Sequence, residues 1–281
     1  MPASSLTLPR LTCWAAAPAL LAFSTLTHAA QVQVTVNIQN LAPTNSVSAA
    51  PLHLAFNNGT FDAFNLGGVA NAATVSVAEG GAGGTWQAAF AAADPTATRG
   101  TIGGPLFPGA SKSASFLVDT TLNPFFTFAA MVIPSNDLFI GNDSPTEYHL
   151  FNAAGQLQIG SINVKANEIW DAGSEVYDPL AAAFVGTNSL RAPQHSVVAF
   201  NFAETYGFNG LTTAAGYTFN SQLTADSDIY RISFTAAAVP EPHSLALMLA
   251  GLGGVGWLAK RRQAPAGRPS PFADETPPVA G

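Results

Sequence analysis

Asp137, Asp171 and Glu175 are the residues whose type and placement could do chemistry in this 281-residue chain. Each stands near the end of a strand-like run. Met131-Val132-Ile133-Pro134-Ser135-Asn136 leads into Asp137, and Ile169-Trp170 leads into Asp171-Ala172-Gly173-Ser174-Glu175. Three carboxylates drawn together without a cation repel one another, which raises their pKa values or splays their loops. Calcium takes about six to eight oxygens from carboxylates, carbonyls and water, and turns the same set into an attractive one. Asp143 and Asp178 stand further from this pattern. The plainer use of such acids is to cap turns or to lie solvated in loops. A hydrolase is a further use, with Asp137 and Asp171 as acid and base across a groove about 5–10 Å wide.

Other reactive types are scattered. His53, His149, His195 and His243 are far apart in sequence, without zinc-ligand spacing, and His28 lies at the leader junction considered below. No serine sits in a Gly-x-Ser-x-Gly elbow. Asn58-Gly59-Thr60 and Asn142-Asp143-Ser144 match glycosylation acceptors formally, but Asn58-Gly59 reads better as a hairpin turn. Cys13 is the one cysteine, so disulfides are not expected to brace the folded region, and packing or a metal must do so.

The elements that must position the acids are strands. In 32–39 every second residue is apolar, the period of a half-buried strand. Short β-prone runs recur at 52–56, 115–118, 125–133, 148–151, 197–202 and 229–234, separated by turn-forming groups such as Gly103-Gly104-Pro105 and the loop 80–84. Phe125, Phe126, Phe128 and Tyr230 are expected in the core. Only the alanine-rich stretch 86–93 suggests a helical turn or two. The order predicts an all-β, antiparallel sandwich over residues 30–235 with function on its end loops. That region holds fourteen acidic against five basic side chains, which argues against nucleic acid and anionic lipid as partners.

The stretch 131–141 and the stretch 169–178 together resemble the paired signatures of the spondin N-terminal domain, the module named from F-spondin and mindin. Its usual forms are Ile-Pro-Ser-Pro-Asp-Trp-Phe-Val-Gly and a later Asp-Ala-Gly-Thr-Asp or Asp-Ala-Gly-Thr-Glu. Here Asn136, Leu138 and Ser174 depart from the pattern, and Asn40-Leu41 fits the start of that domain. The resemblance implies a C2-like β-sandwich that binds calcium at one end. Residue by residue it maps Asp137, Asp171 and Glu175 onto the calcium-binding acids. Glu175 stands where many animal members have aspartate, and its longer side chain changes the mode of coordination. In animals the related domain serves adhesion and matrix contact.

Both ends of the chain read as export signals. Arg10 precedes a mostly small and apolar stretch, 11–26, and Thr27-His28-Ala29 offers small residues for cleavage, so residues 1–29 are expected to be a signal peptide. Near the other end, Val239-Pro240-Glu241-Pro242 is followed by the charge-free apolar stretch 244–259 and by Lys260-Arg261-Arg262. Pro240 and Pro242 keep the backbone extended for a processing enzyme, the apolar run partitions into lipid, and the basic cluster stays cytoplasmic. This layout resembles the PEP-CTERM signal of Gram-negative bacteria that make extracellular polysaccharide. It implies an exosortase-type enzyme as partner, with transient insertion in the inner membrane on the way to the cell surface or medium. A permanent anchor is the alternative, although about sixteen residues with four glycines fall short of the roughly twenty that span a bilayer. Residues 236–239 read as a flexible joint, 236–262 as the sorting signal with an apolar helix, and 263–281 as a disordered tail.

The sequence therefore predicts an exported, non-catalytic surface or matrix protein, a calcium-braced sandwich in contact with polysaccharide or cell-surface proteins. A carbohydrate-binding module and a secreted glycoside hydrolase are the alternatives.

Overall fold

The alternating pattern of 32–39 forms β1 (Gln31–Asn40), whose Val34, Val36 and Ile38 turn inward and are buried. A computed structural model describes residues 31–239, 249–254, 256 and 260. The expected signal peptide, the sorting residues Pro240, Glu241, Pro242, Arg261 and Arg262, and the tail 263–281 lie outside the described residues. After β1 come β2 (Ser48–Ala49), β3 (Leu52–Asn57), β4 (Thr98–Ile102), β5 (Ser111–Asp119) and β6 (Phe125–Ile133). They are followed by β7 (Leu138–Gly141), β8 (Tyr148–His149), β9 (Ser161–Lys165), β10 (Trp170–Asp171), β11 (Ala199–Phe200) and β12 (Asp228–Ala238).

These strands make two antiparallel sheets, neither closing into a barrel. One runs β5-β1-β12-β9; the other runs β11-β10-β7-β6-β3-β4, with β2 and β8 also on β6. Their facing sides enclose one core that includes Val36, Phe56, Phe126, Phe128, Ile162, Ile232 and Phe234. The all-β sandwich expected from the strand pattern is the fold observed.

Strand β6 explains why a second apolar layer exists. It is an unbroken apolar run apart from Thr127, and such a run suits a strand covered on both faces. Phe126, Phe128, Ala130 and Val132 face the sheet-to-sheet core, while Ala129 joins a cluster with Phe64, Phe139 and Trp170 on the other side. That outer face is covered by α1 (Ala72–Gly80) and α2 (Gly84–Ala93) through Val77, Trp86 and Phe90. The stretch 86–93 is helical as expected; α1 was not anticipated, because its alanines, valines and glycine give little helical period. Asn71 caps it, accepting from the amides of Ala73 and Thr74, and Gly81 ends it at φ +63°.

Two further expectations are corrected. Asn58-Gly59 does not join a hairpin, since the chain leaves β3 there for the helical layer and returns only at β4. The amide of Gly59 instead donates to Asn57 Oδ1, a local turn. Residues 236–238 are not a joint but the end of β12, paired with Val34, Gln33 and Val32 of β1. The tie extends the folded domain to the threshold of the apolar segment, where residues 249–254 are helical. Among the described residues no helix is long and apolar enough to cross a membrane.

Candidate functional site

Asp137 sits in the tight connection between β6 and β7, and Asp171 ends β10. The register that pairs Asp171 with Leu138 brings the two acids to the same end of the sheet. Asp137 is 1 % exposed. Its Oδ2 accepts from the Ser174 amide at 2.7 Å, the Glu175 amide at 3.0 Å and the Ser174 hydroxyl at 3.2 Å. The aspartate thereby holds the loop that follows β10. Asp171 shapes the same loop from within, accepting from the Gly173 amide at 2.7 Å. Gly173 is needed there. Its φ is +64°, and a Cβ would lie 2.8 Å from the Ser196 carbonyl carbon.

The third acid of this set is Glu204, on the 3-10 helix Phe202–Phe208. Asn201 Nδ2 bridges it to Asp171, donating to Asp171 Oδ2 at 2.8 Å and to Glu204 Oε2 at 3.3 Å. Glu204 Oε1 is buried and has no hydrogen-bond partner. Burial, then the charges of Asp171 and Asp137, push the Glu204 carboxyl up to about 8, against the lowering effect of the nearby Asn136 amide. Burial and the Asp171 charge push Asp137 up to about 6, against the lowering effect of its three donors.

Glu175 turns elsewhere. Its Oε1 accepts from Asn136 Nδ2 at 3.0 Å and lies 3.4 Å from Arg191 Nε, while Oε2 is buried without a partner. Burial raises its pKa, and Asn136 and Arg191 oppose the rise. Asn136 is the hinge pin of the end. It also donates to the Asp178 carbonyl at 3.3 Å and accepts from the Asp178 amide at 3.1 Å, contacts a proline at that position would lack. The Asp178 side chain caps the Leu180 amide, and Asp143 accepts from the Leu66 amide, so both hold turns.

The structure thus brings Asp137 and Asp171 together, sets Glu175 on Arg191, and adds Glu204. Among the described residues no group of three His, Cys, Asp or Glu side chains is placed to hold a metal ion. What the end offers a cation is partial: the second oxygen of Asp137, remaining lone pairs on Asp171, and the unpartnered Glu204 oxygen. Glu204 has no motif around it in the sequence. Its one signal is an acid a few residues past an apolar run that pairs with the Trp170-Asp171 strand.

A groove of about 270 Å³ opens toward the opposite end of β7 and β10, where Gly141 and Glu168 lie, lined by Tyr148, Trp170 and Phe200 together with Asp143, Glu147 and Glu168. Sequence reasoning noted Asp143 but not the groove, because its walls come from five separate stretches.

Residues 238–263 match the PEP-CTERM protein-sorting motif. No curated protein matches the chain. The motif marks an exported protein sorted to the cell surface of a Gram-negative bacterium, and proteins that carry it are processed by exosortase-type enzymes.

Proposed function

We propose that the exported domain is a non-catalytic contact module, which meets polysaccharide or neighbouring surface proteins and is braced by calcium at its loop end. The observation that carries this reading is the convergence of Asp137, Asp171 and Glu204 at one end, linked through Asn201 and the loop after β10, where burial first and neighbouring charge second disfavour the ionised forms of Asp137 and Glu204. A bound cation would relieve that repulsion and tie the connections together without a disulfide. Asp137 and Asp171 would supply its first carboxylate oxygens, Glu204 would have to turn in to join them, and water would complete a shell that needs about six to eight oxygens. Glu175 acts beside them by anchoring its loop to Arg191 and Asn136. So few protein ligands point to a weak site, in the range of about 10⁻⁴–10⁻³ M known for extracellular modules. Spondin-like relationship remains part of this proposal, resting on the two signatures around Asp137 and Asp171.

The alternative of a hydrolase using Asp137 and Asp171 has less support. Asp137 is buried and its Oδ2 already accepts three hydrogen bonds, whereas an acid or base must reach the substrate.

Calcium titration tests the proposal. At about ten times Kd, mass action stabilises the folded state by about 1.4 kcal/mol, or about 3–6 °C in Tm for a domain of this size. The rise should vanish in the Asp137→Ala, Asp171→Ala double variant. An unchanged shift in that variant, or no shift in the parent protein at millimolar calcium, removes calcium from the picture.

A further inference from the structure

We infer that the aromatic groove at the Gly141 end of β7 is a binding subsite for a sugar residue carrying a free amine. The inference deepens the contact role proposed above and rests on it for the class of partner; calcium has no part in it.

The groove is built, not incidental. Trp170 and Phe200 are a cross-strand pair of β10 and β11, with rings stacked at 3.8 Å between centroids and 26° between planes. Trp170 is itself locked from below. Its Nε1 donates to the Gly141 carbonyl at 2.9 Å, and Phe64 packs edge-on at 5.0 Å. Phe200 therefore rests on a rigid base while 49 % exposed, its outer face open to the groove. Tyr148 is half-buried along the same groove, 6.0 Å from Phe128 beneath it. Aromatic walls of this kind accept the apolar face of a ring or the charge of a cation.

Charge selects between ligands. Asp143, Glu147 and Glu168 line the groove, and no basic side chain does so among the described residues. The neighbouring Lys165 ammonium is directed to Asp226 at 3.6 Å. Glu147 has its pKa raised by partial burial and by the charges of Glu168 and Asp143, so the field there is negative. An anionic sugar is repelled, and a neutral one gains nothing from that field. An ammonium group on a ring gains from both the carboxylates and the aromatic face. A volume of about 270 Å³ lies at the small end of ligand pockets, so one sugar residue of a chain, not an extended segment, is the unit recognised.

The test is binding to the full chain in neutral detergent at about pH 6, where sugar amines are protonated. Three probes are compared: a glucosamine tetramer, its fully N-acetylated form, and spermidine. The glucosamine tetramer should bind at least about tenfold tighter than the other two and weaken as salt is added. Phe200→Ala and Glu168→Gln should each weaken it by about tenfold. Equal binding of the acetylated tetramer overturns the amine, and equal binding of spermidine overturns the sugar. Glucosamine binding untouched by both variants overturns the groove while leaving the contact role standing. Failure of the contact role itself shows differently, as no binding to any member of a broad glycan array or to surface proteins.

Discussion

Replacing Glu204 by glutamine should stabilise this protein near neutral pH when calcium is absent. The carboxyl is raised from 4.5 to about 8 by burial and by Asp171 and Asp137. A raised acid holds its proton in the folded state while the unfolded chain has already released it. Stability is therefore greatest below about 4.5 and declines as pH rises toward about 8, at about 1.4 kcal/mol per pH unit. At about pH 7 the accumulated cost is of order 3 kcal/mol, and at about pH 5 it falls below 1 kcal/mol. Glutamine keeps an acceptor for Asn201 Nδ2 and carries no charge, so Glu204→Gln should recover most of that cost. Thermal denaturation in chelator should show the variant's Tm above the parent's by about 6–12 °C at about pH 7, with the gap closing toward about pH 5. With saturating calcium the order should narrow or reverse, because the variant lacks a ligand. A variant no more stable at neutral pH in chelator, or one that gains as much at about pH 5, refutes the charge argument.

Two other outcomes follow from the same geometry. Arg191→Ala leaves the buried Glu175 carboxylate without its cation and should lower stability by about 3 kcal/mol in urea unfolding, while adding Glu175→Gln should restore much of the loss. Replacing Arg261 and Arg262 by alanine removes the basic stop of the sorting motif, so the protein should accumulate uncleaved in the membrane, visible as a persistent longer band on an immunoblot; normal processing would show that other parts of the motif suffice.

Much of the framework is legible in the residues themselves. The alternation of 32–39 defines β1, and the uninterrupted run 125–133 is β6 to the residue, since both periods follow from which faces are covered. The Pro-Glu-Pro, apolar and basic order near the end identifies the sorting signal because each part is local. Local too is the turn made by Asp171, Ala172 and Gly173, in which the aspartate accepts from the glycine amide two positions on.

What required the tertiary structure is the company these residues keep. Sequence spacing placed Glu175 with Asp137, and indeed its amide is there, but its side chain leaves on the far side of Asn136 for Arg191, sixteen positions on. Glu204 joins Asp171 only because Asn201, just past β11, reaches across from the edge of the sheet. Helix α1 exists for a similar reason. Its own pattern is weak, and the exposed apolar face of β6 and β7 supplies the surface it must cover. Local sequence fixes which residues can turn, alternate or partition into lipid, whereas long-range strand pairing decides which charges meet, and that meeting sets their protonation and their affinity for a cation.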